Sequence, residues 1–574
     1  MIGLGSVTFD EHNPNTEKGR ENDARASKSG LDYSPLPRLT GKSLAMGCLV
    51  SMGGMIFGYD TGQISGFLEM PDFLERFGQL DSNGNYHFSR VRSGLIVSLL
   101  SIGTLIGALI AAPIADKFGR RLSISFWSLM TAVGFVIQIA SVTAWTQVMM
   151  GRFVAGLGVG ALSLLVPMYQ AETAPAWIRG AMVCAYQLFI TMGIFLAACF
   201  NFGTYHHQMN NSGSWRIVIG LGWIWTLILG IGILFFPETP RFNYRRGKTE
   251  EAIKTLCDVH GAPRNHYIIH IQVAEIESKL HAESKIKMGH MAEFLSMLKA
   301  PRMLYRLFLG IGLQSLQQLS GANFFFYYGV SIFKSVNIDS YITQIILNTI
   351  NFVATFLGLY IVEHFGRRKS LIAGSIWMFV CFLIFASVGH FVLDYNNPER
   401  TPTPGIVLIV FAALFIVGFA TTWGPMIWTI QAEIFPSRYR AKGMAISTAA
   451  NWIWNFCIGF FTPFITGAID YRYGYVFAAC NFVAAFVVYF FVIEGQGRTI
   501  EEIDTMYLER VTPWKSTEWV RPDDEKMEEI RRKAGIDVEA LAAQKDEHSK
   551  IAGDAQGGGV RVDGSNMDHV ERQT

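Results

Sequence analysis

The sequence predicts an all-α membrane protein in which twelve transmembrane helices form two pseudo-symmetric halves of six. Three observations lead to this prediction: twelve long apolar segments, an alternation of positive charge in the loops between them, and a set of loop sequences that occurs twice. Of the 574 residues, 50% are hydrophobic and only 16% are charged, whereas an ordinary globular protein carries about 25% charged residues. The small net charge of +2 gives no reason to expect nucleic acid as a partner, and the expected surroundings are a lipid bilayer.

Each of the twelve apolar segments is close to the length that a bilayer-crossing helix needs, which is about 20 residues. The segments run over residues 44–67, 94–115, 122–144, 148–169, 181–203, 216–236, 307–330, 341–362, 370–392, 405–431, 443–467 and 474–493. They are numbered here as spans 1 to 12, and we expect a helix at each of them.

Lys and Arg residues alternate between the loops in the way that fixes membrane orientation. The loops after spans 2, 4, 6, 8 and 10 are positive, whereas the intervening loops carry few positive residues or balance them with acids. Because cytoplasmic loops of membrane proteins hold the excess of Lys and Arg, both termini are predicted to be cytoplasmic. The sequon at Asn210 then falls on an outer loop, where it is a candidate glycosylation site.

The loop sequences of the first half return in the second half. DKFGRR, at residues 116–121, follows span 2, and EHFGRR, at residues 363–368, follows span 8. Acidic and basic residues also recur after spans 4 and 10 and after spans 6 and 12, which indicates a duplicated six-span unit.

Every recurring charged element lies on the predicted cytoplasmic face. Acid–base clusters placed there hold two halves together in one conformation and separate in the other. We therefore predict cytoplasmic gate salt bridges from Arg120, Arg121, Glu172, Arg179, Glu238, Arg241, Glu363, Arg367, Glu433, Arg440, Glu494 and Arg498. The alternative is that each pair caps a local helix end, which is worth up to about 1 kcal/mol.

These patterns divide the chain into five predicted regions. Residues 1–42 are polar and form a cytoplasmic N-terminus that is expected to be disordered, and residues 43–240 form the N-terminal six-helix half. Residues 241–305 form a cytoplasmic linker with short amphipathic helices, and residues 306–498 form the C-terminal six-helix half. Residues 499–574 begin as a helix-like segment and form a cytoplasmic tail that is expected to be largely disordered.

Two residues of opposite charge lie inside predicted spans, Asp60 in span 1 and Arg152 in span 4. A carboxylate near the middle of a bilayer costs about 2.5–3.5 kcal/mol on insertion scales, so a chain rarely keeps one without a partner or a task. We predict that an ionised Asp60 pairs with Arg152 and that protonation of Asp60 releases Arg152. This pair is the candidate proton-coupling site, and a fixed buried ion pair is the structural alternative.

Amide side chains cluster in the second half in a pattern that suits a sugar. Sugar hydroxyls donate and accept hydrogen bonds, amides also do both, and aromatic rings cover the apolar face of a sugar. Gln314, Gln317 and Gln318 occupy positions i, i+3 and i+4 of span 7 and therefore share one helix face. The remaining candidates for substrate binding are Gln187, Asn323, Asn351, Trp428 and Asn451. The alternative is that these amides join helices to one another, which is worth about 0.6 kcal/mol each.

Five sequence elements together resemble the sugar porter family of the major facilitator superfamily, and most of all fungal hexose transporters. They are the two GRR loops, PMYQAETAPAWIRG at residues 167–180, PETPR at residues 237–241 and QSLQQLSGANFFFYY at residues 314–328. The resemblance covers about residues 44–508. The chain departs from the family pattern at Ala112, where the first-half loop motif begins, and at Ile493, Gly495 and Gln496 near the end of span 12.

The resemblance implies the major facilitator fold and a plasma-membrane monosaccharide transporter that works by alternating access. It implies a hexose as the substrate, with glucose as the expected one, and sugar contacts at the eight candidate substrate-binding residues. Asp60 and Arg152 match an acid–base pair that proton-coupled members use, which implies symport with a proton as the coupling ion and no other cofactor. Similar fungal members with the same aspartate act as facilitators, so a uniporter stays open as an alternative, as does a non-transporting sugar receptor. We expect a monomeric functional unit.

The sequence gives no support for an enzyme. It contains no recognisable nucleophile–base pair, metal-binding cluster or phosphate-binding loop. The seven cysteines lack the spacing of a metal site and are interpreted as packing residues. We therefore predict no catalytic residue and no metal site, and the short tail without repeated motifs favours transport over sugar sensing.

Overall fold

The computed structural model describes residues 6–7, 31–32, 34–37, 39–81, 84–285, 290–333, 339–394, 402–436, 439–496, 498 and 500–520. The expectation for most of residues 1–42 and the expectation for the tail beyond residue 520 therefore concern residues outside the described part. Within that part, helices dominate and the predicted twelve helical spans are present.

The first half contains spans 1 to 6. Their helices are Gly41–Phe67, Arg90–Phe118, Arg120–Ile139, Trp145–Thr173, Ala176–Gln208 and Gly213–Gly232, and the last continues as a 3-10 turn over Ile233–Phe235. Span 1 begins where the Thr40 hydroxyl accepts a hydrogen bond from the Ser43 amide, and span 2 begins where Ser89 does the same for Arg92. Such caps satisfy amides that have no partner within the helix.

The second half contains spans 7 to 12, and two of its spans are interrupted. Span 7 consists of Met303–Leu319 and Ala322–Phe333, and span 10 consists of Pro402–Gly418, a π-helical run Phe419–Trp423, and Gly424–Ile434. Spans 8, 9, 11 and 12 are Ser340–His364, Arg367–Phe391, Arg440–Ile469 and Tyr473–Phe491, with a 3-10 turn Asp470–Arg472 before the last.

By length and composition, ten stretches of the described residues are helical and apolar enough to cross a membrane. The last of these, Lys442–Phe491, joins spans 11 and 12 across the short turn between them. Span 7 is absent from the ten because the break after Leu319 leaves two shorter pieces. The ten stretches therefore correspond to eleven of the twelve predicted spans, the two shorter helices of span 7 supply the twelfth, and the predicted multi-pass helical fold is confirmed.

The remaining elements lie at the two ends of the spans. A short helix Pro71–Phe77 and the antiparallel strands Gln79–Leu80 and Tyr86–His87 connect spans 1 and 2. The predicted helical linker between spans 6 and 7 contains helices Pro240–Arg245, Thr249–His260, Tyr267–Lys285 and His290–Lys299. Strands Ser6–Val7 and Leu36–Pro37 pair near the chain start, and helix Ile500–Leu508 and the 3-10 turn Pro513–Lys515 follow span 12.

The two halves repeat one packing pattern. Span 1 packs on span 5 and span 3 on span 6, and in the second half span 7 packs on span 11 and span 9 on span 12. Spans 2 and 4 approach most closely at two glycines, because a side chain at Gly107 would overlap the Leu157 carbonyl oxygen and one at Gly160 would overlap that of Thr104. The glycines of span 4 thus serve close helix contact. Between the halves, span 2 meets span 11 and span 5 meets span 8.

Hydrogen bonds join the halves at the ends of the spans that lie opposite the GRR loops. The Tyr341 hydroxyl donates to the Gly66 carbonyl oxygen at 2.9 Å, and the Val330 amide donates to the Ser65 hydroxyl at 3.1 Å. His206 Nε2 lies 3.3 Å from the Asp339 carboxylate across the same seam. These contacts join the two halves on this side of the molecule.

Candidate functional site

The break in span 7 places its amides opposite spans 10 and 11. Helix Met303–Leu319 ends before Gly321, whose φ of 97° is a backbone conformation that suits glycine, and the next helix begins at Ala322. A side chain at Gly321 would also meet the rings of Phe382 and Phe477. The helix of span 7 is therefore interrupted at this glycine.

Five of the predicted substrate-binding residues form one hydrogen-bonded network. The Asn451 amide donates to Gln314 Oε1 at 2.6 Å and to Gln317 Oε1 at 2.9 Å. Gln318 Nε2 donates to Asn451 Oδ1 at 2.8 Å, and Asn323 Nδ2 donates to Gln318 Oε1 at 2.5 Å. The network therefore links both parts of span 7 to span 11.

The network extends to span 10 through Gln317. Its Nε2 donates to the carbonyl oxygens of Trp423 and Gly424, at 2.9 and 3.1 Å. These carbonyls stand at the junction where the π-helical run ends at Trp423 and the regular helix Gly424–Ile434 begins. Gln314 Nε2 is buried and has no hydrogen-bond partner among the described residues. A buried amide donor without a partner is suited to donate a hydrogen bond to a hydroxyl oxygen of a ligand.

Three predicted substrate-binding residues lie outside this network. Asn351 of span 8 is buried at 2% exposure, and Gln187 of span 5 is half-buried. Trp428 is 37% exposed, whereas Trp423, five residues earlier, is fully buried and donates its Nε1 hydrogen to the Ser375 hydroxyl at 2.8 Å. The two tryptophans are five residues apart and so lie on different faces of span 10, and the sequence does not indicate which of the two faces the interior.

Asp60 and Arg152 meet as predicted, and both are completely buried. Arg152 Nη1 lies 3.5 Å from Asp60 Oδ1, which is the outer limit of a hydrogen bond. Gln63 Nε2 donates to the same oxygen at 2.7 Å. Asp60 Oδ2 and the Nε and Nη2 atoms of Arg152 are buried without a hydrogen-bond partner among the described residues. The ion pair is therefore loose and incompletely satisfied.

Asn455 links span 11 to spans 2 and 7. Its Oδ1 accepts hydrogen bonds from the Ser101 hydroxyl of span 2 at 2.6 Å and from the Tyr327 hydroxyl of span 7 at 2.8 Å. Tyr327 lies within electrostatic reach of both Asp60 and Arg152. Because Asn455 follows Asn451 by one helical turn, span 11 carries both the amide network and a bond to the first half.

The charged residues after spans 2, 4 and 6 form one cluster. The Glu238 carboxylate accepts hydrogen bonds from the backbone amides of Arg120 and Arg121, both at 3.0 Å. Arg120 Nη2 lies 3.2 Å from both Glu172 and Asp116. A carboxylate that caps the amino end of span 3 also interacts favourably with the helix dipole.

The second half repeats this arrangement. The Glu494 carboxylate accepts hydrogen bonds from the amides of Arg367 and Arg368, at 2.9 and 3.1 Å, and Arg367 Nη2 pairs with Glu433 at 2.9 Å. Each of these pairs lies within one half. In this conformation they hold spans of the same half together, and the expectation that they join the halves stays a hypothesis about another conformation.

The other predicted gate residues have different roles here. Arg498 donates to the carbonyl oxygens of Ser516 and Trp519 at 3.0 and 2.9 Å, and so holds the segment after helix Ile500–Leu508. Arg440 donates to the Phe435 carbonyl oxygen at 3.4 Å, and Arg241 lies in helix Pro240–Arg245. The side chains of Arg179 and Glu363 lie outside the described part. Asn210 is exposed between spans 5 and 6, opposite the GRR loops.

The site combines a neutral amide network in the second half with a buried ion pair in the first. The network can exchange hydrogen bonds with a polyhydroxylated ligand. Among the described residues, no group of three His, Cys, Asp or Glu side chains is placed to hold a metal ion.

A family model described as sugar (and other) transporter matches residues 46–507. The chain is 44% identical over 498 residues to a low-affinity glucose transporter of Kluyveromyces lactis, covering 86% of each chain. It is 42% identical over 533 residues to the low-affinity glucose transporter HXT3 of Saccharomyces cerevisiae, covering 92% of each chain.

Solved structures of a bacterial transporter share the fold. An inward open conformation of the xylose transporter XylE from E. coli aligns with a TM-score of 0.67 at 25% identity, covering 81% of this chain and 99% of that one. XylE described as a proton:xylose symporter bound to 6-bromo-6-deoxy-D-glucose aligns with a TM-score of 0.66 at 25% identity, with the same coverage.

Proposed function

Because this chain belongs to the sugar porter family of the major facilitator superfamily, we propose that it carries a hexose, with glucose as the preferred sugar, across the plasma membrane. The amide network of Gln314, Gln317, Gln318, Asn323 and Asn451 is the observation that carries this proposal. Its donors and acceptors match the hydroxyls of a neutral sugar, and relatives with up to 44% identity are named as glucose transporters. Asn351, Gln187 and Trp428 complete the sugar site when the halves close around the ligand.

Transport proceeds by alternating access. The contacts of Tyr341 with Gly66 and of Val330 with Ser65 close the outer side, and they break when the site opens outward. We place the GRR loops and both termini in the cytoplasm, on the strength of the alternating positive loops. An epitope at the C-terminus should stain only permeabilised cells, and staining of intact cells would refute this orientation.

Uptake of labelled sugars tests the transport proposal directly. In cells that lack their own hexose transporters, the chain should restore uptake of glucose, and a panel with fructose, galactose and xylose ranks the preference. Well-expressed protein at the cell surface that moves no sugar, yet changes a sugar-dependent signal, would identify a receptor.

We further propose that Asp60 couples sugar movement to protons. Protonation of Asp60 removes its attraction for Arg152, and Arg152 can then turn to other partners and change the packing of spans 1 and 4. If the sugar binds more tightly to the protonated state, linkage makes each sugar move with a proton. The unpartnered Oδ2 of Asp60 offers a place for that proton.

The decisive measurement is sugar-induced proton movement in proteoliposomes. Asp60→Asn should abolish accumulation of sugar against a gradient and leave counterflow exchange, because the amide network lies in the other half. Arg152→Ala should also damage coupling. Wild-type protein that equilibrates sugar without proton flux would be a uniporter, and proton flux that persists in Asp60→Asn would place the proton site elsewhere.

A further inference from the structure

Gln63 lies one helical turn beyond Asp60 and makes the better of the two hydrogen bonds to that carboxylate. Gln63 Nε2 donates to Asp60 Oδ1 at 2.7 Å, within the usual range of such bonds, whereas Arg152 Nη1 stands at 3.5 Å from the same oxygen. Both donors use Oδ1, so Oδ2 stays without a partner. The amide, rather than the guanidinium, therefore fixes how the carboxylate is oriented.

The position of Gln63 is itself fixed by the packing of spans 1 and 5. Gln63 is completely buried, and its backbone carbonyl oxygen accepts a hydrogen bond from Asn201 Nδ2 of span 5 at 3.1 Å. Its side-chain Oε1 has no partner among the described residues, so its amide is held chiefly through the bond to Asp60. Removal of the side-chain amide would leave the bond between the backbone and Asn201 in place.

The hydrogen bond from Gln63 favours the ionised form of Asp60 over the protonated form. An amide hydrogen bonds more strongly to a carboxylate than to the protonated acid, because the carboxylate carries the negative charge. The charged and titratable groups near Asp60 are Arg152 of span 4, Tyr327 of span 7 and the adjacent Tyr59. None of them makes a hydrogen bond to Asp60 as short as that of Gln63 among the described residues.

We propose that Gln63 is a positioning residue for proton coupling: it holds Asp60 Oδ1, presents Oδ2 to the proton and sets the pH at which transport responds. This inference rests on the proposed proton symport. The Gln63 amide would fix the orientation of the Asp60 carboxylate, which Asp60 and Arg152 alone do not fix.

The test is the pH dependence of sugar uptake by Gln63→Met, which keeps the length of the side chain and removes the donor. Loss of a hydrogen bond to the ionised form favours the protonated form, so the pH of half-maximal uptake should rise by about one unit. Gln63→Asn, whose shorter amide cannot reach Oδ1 in the same way, should shift the midpoint in the same direction. Counterflow exchange checks that each variant is folded.

Gln170→Met is the matched control. Gln170 is equally buried in the first half, and its Nε2 donates to the Ser51 hydroxyl at 2.9 Å, far from Asp60 along span 1. The pH of half-maximal uptake by Gln170→Met should equal that of the wild-type protein. Wild-type midpoints in both Gln63 variants, or an equal shift in Gln170→Met, would overturn the inference. Wild-type uptake without any pH dependence would instead refute the proposed proton coupling.

Discussion

At the scale of single residues, the amides of the candidate sugar site differ in the hydrogen bonds that they make within the protein. Gln317 bonds to span 10 and to Asn451, whereas Asn351 is buried and makes no hydrogen bond to that network among the described residues. Sequence spacing predicted that Gln314, Gln317 and Gln318 share a face, and they do. It could not predict their partners, because Trp423 and Gly424 approach Gln317 only after the chain has folded.

We predict that Gln317→Ala and Asn351→Ala each weaken sugar binding about 2–10-fold, since a hydrogen bond to a neutral hydroxyl is worth about 0.5–1.5 kcal/mol. Gln317→Ala should also lower the thermal unfolding temperature, and Asn351→Ala should not. Binding measured by titration, beside thermal unfolding in detergent, separates the two effects.

Gln431→Ala provides the control for this pair. Its Nε2 donates to the Gly310 carbonyl oxygen at 2.8 Å, and so it joins spans 7 and 10 outside the amide network. This variant should lose stability and keep wild-type sugar affinity. Unchanged affinity in both Gln317→Ala and Asn351→Ala would mean that those amides only join helices.

Asp72 illustrates a carboxylate that stabilises the loop between spans 1 and 2. It accepts hydrogen bonds from Arg76 Nε at 2.8 Å and from Trp215 Nε1 at 2.9 Å, which ties helix Pro71–Phe77 to span 6. Burial raises the pKa of Asp72, but the bonds from Arg76 and Trp215 outweigh it and hold the pKa below its usual range. Because the pKa is lower in the folded state, the stabilisation is present above about pH 4 and is lost as the pH falls through the folded-state pKa.

We predict that Asp72→Asn costs about 1.5–3 kcal/mol of stability at pH 7 and that the difference from wild type narrows below about pH 4. Thermal unfolding across this pH range measures it. Glu75→Gln, an exposed change on the same helix, should stay within about 0.5 kcal/mol of wild type. A difference for Asp72→Asn that is as large at pH 3 as at pH 7 would contradict the assignment.

At the scale of helices, apolar length predicted each span but not its ends. Span 2 was expected over 94–115, and its helix extends over Arg90–Phe118, because Ser89 caps it and polar turns at either end continue the helix. The π-helical run of span 10 was not predictable, since no residue type in Phe419–Trp423 requires it. The glycines of spans 2 and 4 indicate close helix packing from the sequence alone. The sequence does not show which backbone atoms Gly107 and Gly160 approach.

We predict that Gly107→Ala destabilises the protein by about 1–3 kcal/mol, because the added methyl group would overlap the Leu157 backbone and push spans 2 and 4 apart. Gly312→Ala is the matched change in span 7, where nothing lies within 4 Å of the added group. It should be neutral or stabilising by up to about 1 kcal/mol, because alanine favours the helix. Equal unfolding temperatures for the two variants would show that spans 2 and 4 can move apart without loss of stability.

At the scale of the whole molecule, the duplicated sequence predicted two similar halves, and the structure pairs span 2 with span 11 and span 5 with span 8 between them. The carboxylates of Glu238 and Glu494 cap their GRR loops in the same way in both halves. Glu172 contacts Arg120 and Glu433 contacts Arg367, since the loops after spans 2 and 8 fold back over the ends of spans 4 and 10.

We predict that Tyr341→Phe shifts the population toward the conformation that is open opposite the GRR loops, by about 2–10-fold, because it removes a hydrogen bond between the halves. Tyr305→Phe is the control, since the Tyr305 hydroxyl donates to the Phe491 carbonyl oxygen at 3.1 Å within the second half. Distances between spin labels at the ends of spans 5 and 8 measure the population. A shift of equal size in Tyr305→Phe would show that general loosening of the helix packing, and not the hydrogen bond between the halves, sets the balance.

The π-helical run Phe419–Trp423 makes span 10 sensitive to its own length. Deletion of one residue there would restore a regular helix and rotate everything from Gly424 to Ile434 by about 100° about the helix axis. That rotation would turn Glu433 away from Arg367 and the carbonyl oxygens of Trp423 and Gly424 away from Gln317. A single-residue deletion in this run should therefore be far more damaging than most substitutions in it, and a compensating insertion nearby should rescue it. The number of residues in span 10 is therefore constrained as strictly as the identity of any of its side chains.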